Sequence, residues 1–196
     1  MTATTARTST RTTPMLFSRQ RQLLQLLDAL GGTSGMLDFQ KLLFLYCQEA
    51  STGEAPYDFV PYKFGAFSFT SYADRRKLIE RGLLEDEDGW QITAEGRKII
   101  GRTMDMQLVA FAKRHRGLHG DALVADTYRR FPFFATRSEI AERVLKGDDA
   151  ALARIKAVRA KATGPALSTI GYEGHTLESY LTILLKSGVT LLCDVR

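Results

Sequence analysis

Metal ligands are scarce in this sequence. Its 196 residues hold two cysteines and three histidines. Cys47 and Cys193 lie far apart and no Cys-x-x-Cys occurs, which excludes a zinc ribbon and a disulfide framework. Both cysteines sit in apolar runs and are expected to be buried, reduced thiols. His115 and His119 have the spacing of two ligands on one helical face, but Gly117 and Gly120 interrupt such a helix. No metal site is expected. Runs of about 18 apolar residues are also lacking. The longest candidate, residues 36–47, is interrupted by Asp38, Gln40 and Lys41. No membrane partner is therefore expected, and without an apolar stretch before Leu16 no secretory leader is expected either. A cytoplasmic location follows as an expectation. The sequence has no Gly-x-x-x-x-Gly-Lys phosphate loop and no serine, histidine and acid grouping of a hydrolase. Neither a cofactor nor a catalytic residue is expected.

What is present is 44% hydrophobic and 25% charged, enough apolar side chain for a real core. The net charge of +5 is unevenly spread. Residues 85–96 contain Glu85, Asp86, Glu87, Asp88 and Glu95 and no base, whereas residues 97–130 carry eight bases against three acids. Such a patchwork permits nucleic-acid contact without requiring it.

Residues 1–17 begin as a threonine- and arginine-rich stretch too polar to repay ordering, and are expected to be a disordered tail. Leu23, Leu24, Leu26, Leu27 and Leu30 then line one face of a helix that Gly31-Gly32 stops. A second helix is expected over residues 37–50, followed by short extended pieces in the aromatic stretch 57–69. Ser71 is expected to cap a third helix ending at Gly82. Leu83-Leu84, the acidic turn 85–89 and Trp90-Gln91-Ile92 read as two antiparallel strands of a wing, with Thr93 capping the next helix. Residues 18–102 thus predict a winged-helix-like domain. Residues 103–163 predict a helical extension broken near Gly117 and Pro132.

From residue 164 the pattern changes. A strand at Leu167-Ser168-Thr169-Ile170, a helix opened by Thr176 and closed by Gly188, and an apolar strand at 189–195 predict a parallel strand, helix and strand. The fold class expected is mostly α with a small winged-helix-like β-wing, followed by an incomplete α/β parallel-sheet unit. In such a unit the glycine turn and the second strand's end share the edge where ligands bind, making Tyr172, Glu173, Asp194 and Arg196 the candidate ligand set. The open edge of the second strand is a candidate surface for homo-oligomers.

Thr169-Ile170-Gly171-Tyr172-Glu173-Gly174, Leu177-Glu178 and Gly188-Val189-Thr190-Leu191-Leu192-Cys193-Asp194-Val195-Arg196 resemble the opening of the bacterial domain-of-unknown-function family 488. That resemblance covers residues 169–196 and implies a compact α/β domain for a phosphorylated or nucleotide-like ligand, of which this chain carries only the start. Residues 39–46, Tyr62-Lys63-Phe64-Gly65-Ala66-Phe67-Ser68 and residues 128–138 are similar to Panacea antitoxin-like domains, which accompany toxin and phage-defence systems. Ala66 stands where those domains usually carry proline.

Two functions are compatible with these features. One is a binding or regulatory module for nucleic acid or a protein, with Arg75, Arg76, Lys77 and Arg81 of the third helix as the nucleic-acid contacts. The acidic turn opposes the DNA version, because it would press carboxylates against phosphate. The other is a fragment of a nucleotide- or nucleic-acid-directed enzyme, with its centre in the α/β unit and no turnover expected from this form.

Overall fold

The computed structural model describes residues 15–49, 54–101, 105–160 and 167–193. Among these residues the chain is mostly helical, with two small antiparallel sheets.

Helix α1 (Ser18–Ala29) turns Leu23, Leu24, Leu26 and Leu27 inward, and all four are buried. Its first turn is closed by Gln20, whose side-chain oxygen accepts the Phe17 backbone N–H at 3.3 Å. Strand β1 (Thr33–Ser34) leads into α2 (Met36–Glu49). Helix α2 is buried from Phe39 to Cys47, so Gln40 and Lys41 go into the interior with the apolar residues. A helix enclosed on all sides is a core helix, and the other elements pack round it.

The aromatic stretch forms a hairpin of β2 (Val60–Tyr62) and β3 (Gly65–Phe67), with Pro61 opposite Ala66 and Tyr62 opposite Gly65. Gly65 has φ +91°, and a Cβ there would lie 2.5 Å from Tyr128 Cε1. Both the backbone and the space demand glycine. Helix α3 (Phe69–Glu80) follows, and its cap is Ser68, whose hydroxyl accepts the Ser71 N–H at 3.3 Å. The expected cap, Ser71, lies inside the first turn and is buried.

Strand β4 (Trp90–Gln91) pairs antiparallel with β1, Thr33 opposite Gln91 and Ser34 opposite Trp90. The expected pairing of Leu83-Leu84 with Trp90–Ile92 is present as one bridge, Leu84 to Ile92. Three extended pieces therefore lie side by side, and β1 is too short to have left an alternating pattern. Helix α4 (Ala94–Ile100) is capped by Thr93, whose hydroxyl accepts the Gly96 N–H at 2.9 Å, and Arg97 ties it to Asp28 of α1 at 2.9 Å.

Helices α5 (Met106–His115) and α6 (Gly120–Arg130) continue the same core, because Leu108, Phe111 and Leu123 join the buried cluster of Leu23 and Phe39. A second cluster, including Tyr128, Ala135, Leu145 and Ile155, joins α6 to a 3-10 turn (Pro132–Ala135), α7 (Ala141–Val144) and α8 (Asp149–Val158). Asp148 caps α8 by accepting the Ala151 N–H at 3.0 Å.

Past the segment 161–166, α9 (Leu177–Lys186) begins at its Thr176 cap as expected. The flanking segments differ from expectation. Residues 167–170 and 189–193 pair with no strand among the described residues, and Leu191 and Leu192 are exposed. Two segments of four or five residues offer too few cross-strand pairs to hold a sheet alone. The strand edge expected to mediate self-association is likewise not a strand within the described residues. Cys193 is exposed rather than buried, while Cys47 is buried, its thiol pushed up to about 12 by burial. No helix among the described residues is long and apolar enough to cross a membrane.

Candidate functional site

Helix α3 is held on its inner side by polar contacts as well as by the apolar packing of Tyr72, Leu78 and Ile79. Of its residues, Ser71, Asp74 and Leu78 are buried, so a hydroxyl and a carboxylate occupy positions that an ordinary amphipathic helix gives to leucine. Asp74 accepts from Arg19 Nε at 2.6 Å, Gln20 Nε2 at 2.7 Å and the Tyr57 hydroxyl at 3.1 Å. Three donors satisfy a carboxylate that burial would otherwise make costly. The Asp74 hydrogen bond raises the Arg19 pKa above its ordinary value, and burial followed by the Asp74 charge pushes the Tyr57 phenol well up. Gln40 Nε2 donates to Ser71 Oγ at 2.6 Å, and its oxygen accepts the Ser68 N–H at 3.1 Å. These contacts fix the rotation of α3 on α1 and α2, and with it the direction of the exposed side chains.

Arg75, expected on the nucleic-acid face, points to the acidic turn 85–89. Its Nε donates to the Gly89 carbonyl at 3.1 Å, and its Nη2 donates to Gly89 O at 2.7 Å and Glu87 O at 2.7 Å. The guanidinium also sits over the Trp90 ring, 5.7 Å from the centroid. Arg75 therefore braces the acidic turn, on which Glu85, Asp86, Glu87 and Asp88 are all exposed. Arg76 and Lys77 are exposed on α3, and Arg81 follows its last residue, half-exposed. Of the four basic residues, Arg75 is committed to the carbonyls of the acidic turn, and Glu80 lies exposed on the same helix as Arg76 and Lys77.

The C-terminal ligand set is only partly described. Tyr172 and Glu173 lie exposed on the turn before α9, where the Tyr172 carbonyl accepts the His175 N–H at 3.3 Å. Asp194 and Arg196 lie outside the described residues. A cleft of about 200 Å³ lies at the other end of α9, between Phe133, Thr136, Arg137, Arg159, Leu185 and Gly188. There Arg159 Nη2 donates to Thr136 O at 2.6 Å, so one of its two guanidiniums is already engaged.

Other chemistry-bearing residues are accounted for by packing. His115 ends α5, where its Nδ1 lies 3.0 Å from Phe111 O and its ring stacks on Phe111, and it faces Glu49 at 3.5 Å together with Arg114 and Arg130. His119 is the residue before α6, separated from His115 by the turn that the glycines make. Among the described residues no group of three His, Cys, Asp or Glu side chains could hold a metal.

Two features escaped the sequence reading. Lys41 is buried, donates to the Ala66 carbonyl at 2.8 Å, and has its pKa lowered to about 7 by desolvation. Glu178 is fully buried: it accepts from the Thr70 N–H at 2.7 Å, Ser68 Oγ at 3.1 Å and Thr70 Oγ1 at 3.1 Å. Neither could be found by sequence separation, since Glu178 lies 108 residues from Thr70. A Thr-x-Glu helix start signals a cap in the chain and says nothing of what the glutamate meets.

Compared with known proteins, the chain matches no family model, and no curated protein or solved structure is significantly similar to it.

Proposed function

We propose that this chain is a regulatory binding module of winged-helix type whose partner is a protein rather than DNA. The observation that carries the reading is Arg75: the central arginine of the helix that would enter a major groove is spent on the carbonyls of Glu87 and Gly89. It thereby holds four exposed carboxylates at the tip where a DNA-binding wing would need positive charge. The order helix, strand, helix, hairpin, helix, extended pair and helix from α1 to α4 is that of a winged helix with a hairpin between its second and third helices, which supports the description. The likeness of the Tyr62–Ser68 region to Panacea antitoxin-like domains favours a regulator acting through a protein. The enzyme reading has less to stand on, because Tyr172 and Glu173 lie on an exposed turn.

Titration of a labelled mixed-sequence duplex at low salt tests the choice. Binding that weakens steeply between about 50 and 200 mM salt marks phosphate contacts and overturns the protein reading. Absence of binding even at the lower salt is the expected result.

A further inference from the structure

Helix α9 is attached to the rest of the molecule in an unusual way. Between residues 167 and 193, Glu178 is the one buried side chain, while Leu177 is 55% and Ile183 37% exposed. A helix packed permanently on a core buries its apolar stripe and leaves its acids in water. Here the acid is the buried residue while Leu181, Leu184 and Leu185 are only half-buried, and the contact is carried by directed hydrogen bonds. The Thr176 hydroxyl donates to Asp58 Oδ2 at 2.7 Å, Glu178 enters the pocket of Ser68 and Thr70, and the Thr182 hydroxyl donates to Phe59 O at 3.2 Å. Glu178 and Thr182 are four residues apart and share one helical face. The Lys186 ammonium stands over the Phe133 ring at 5.1 Å.

The receiving surface is built independently of α9. Ser68 is the cap of α3, and Gln40 holds its backbone N–H from α2. The Thr70 N–H belongs to the first turn of α3, where backbone donors have no partner within the helix and the helix dipole favours a negative charge. Asp58 and the Phe59 carbonyl, just ahead of β2, supply the acceptors beside it. The result is a donor pocket flanked by two acceptors, matched to a helix with a threonine cap, an acid two residues later and a hydroxyl one turn beyond.

We propose that this face is the protein-docking surface of the module, that its ligand is a helix opening Thr-x-Glu, and that α9 occupies it reversibly in cis. The proposal rests on the reading of the chain as a protein-binding module and names the surface and the chemistry of the partner. Release of α9 exposes the pocket, and a partner helix carrying the same three groups takes its place. A contact with so little apolar burial is readily exchanged, because its strength lies in hydrogen bonds that the partner reproduces.

The test uses a fluorescent peptide of residues 173–190 and the full chain in wild-type, Glu178→Ala and Glu178→Gln forms. The peptide is expected to bind the Glu178→Ala chain at least about ten-fold more tightly than the wild type, in which α9 holds the site. A peptide carrying Glu178→Gln is expected to lose at least about ten-fold in affinity for the Glu178→Ala chain. Hydrogen exchange supplies the second readout. In both chain variants the amides of α9 exchange faster while those of α1 and α2 keep wild-type protection, which also shows that the core is folded. Failure of the native peptide to bind the Glu178→Ala chain, or unchanged α9 protection in both variants, overturns the proposal. Duplex binding would instead remove the protein reading while leaving the peptide result in place, so the two failures are distinguishable.

Discussion

The Arg75 guanidinium donates to the Gly89 carbonyl from both Nε, at 3.1 Å, and Nη2, at 2.7 Å. A side chain of α3 and the backbone of the acidic turn are thereby one unit. Truncation of Arg75 leaves the Gly89 and Glu87 carbonyls without this partner, and hydrogen bonds from a charged donor contribute about 1.5–3 kcal/mol. Arg75→Ala is expected to lower stability at the smaller end of that range in urea denaturation, since the site is half-exposed. Amide exchange should rise at residues 85–89. A variant with wild-type exchange there would show that the wing stands without its brace.

Asp74 is a larger commitment. It is 1% exposed and receives Arg19, Gln20 and Tyr57. Asp74→Ala removes the acceptor and leaves a buried amide and phenol and a half-exposed arginine unpaired, at a cost of about 3–5 kcal/mol. Arg19→Ala costs less, because the Arg19 side chain is 38% exposed and water can replace part of its contact. Denaturation of both single variants and the double variant measures the coupling. Additive losses would contradict a shared network.

Lys41 makes stability depend on pH. Its pKa falls from an ordinary 10.5 to about 7 because burial disfavours the ammonium. Between these values the unfolded chain binds the proton and the folded chain does not. Stability therefore rises with pH across the interval, with a slope approaching about 1.4 kcal/mol per pH step. Below about 7 the lysine is charged in both states and its contribution is flat. Lys41→Met is expected to abolish the rise while retaining the fold, as read from melting temperatures between pH 6 and 10. An identical pH profile in the variant would show that the lysine is charged in the fold.

Two glycines separate strain from crowding. Gly31 has φ +109° with nothing within 4 Å of an added Cβ, whereas at Gly65 that Cβ meets Tyr128. Gly31→Ala is expected to cost about 1–2 kcal/mol, the penalty of a left-handed residue. Gly65→Ala adds overpacking of about 1–3 kcal/mol. Equal losses in urea denaturation would mean that Tyr128 swings aside freely.

The helices were legible because their signals are local. Leucine spacing in α1, the Thr93, Asp148 and Thr176 caps and the Gly82 stop each act within one or two turns. The two-residue strands were harder to read: β1 carries no period, and its pairing with β4 is set by tertiary packing. At 189–193 an apolar run imitates a buried strand, but a strand needs neighbours, and none lies beside it among the described residues. The candidate site was legible in residue type and not in direction. Arg75, Arg76 and Lys77 stand in a row in the sequence, yet the helix turns the first toward the acidic turn and the others toward solvent.

Whether α3 and the acidic turn grip nucleic acid is measured directly by a duplex titration at about 50 mM salt of the wild-type chain beside the Glu178→Ala chain. The second chain removes any masking by α9. Neither is expected to bind. Binding by either, abolished by reversing the charges of Arg76 and Lys77, would contradict the central claim.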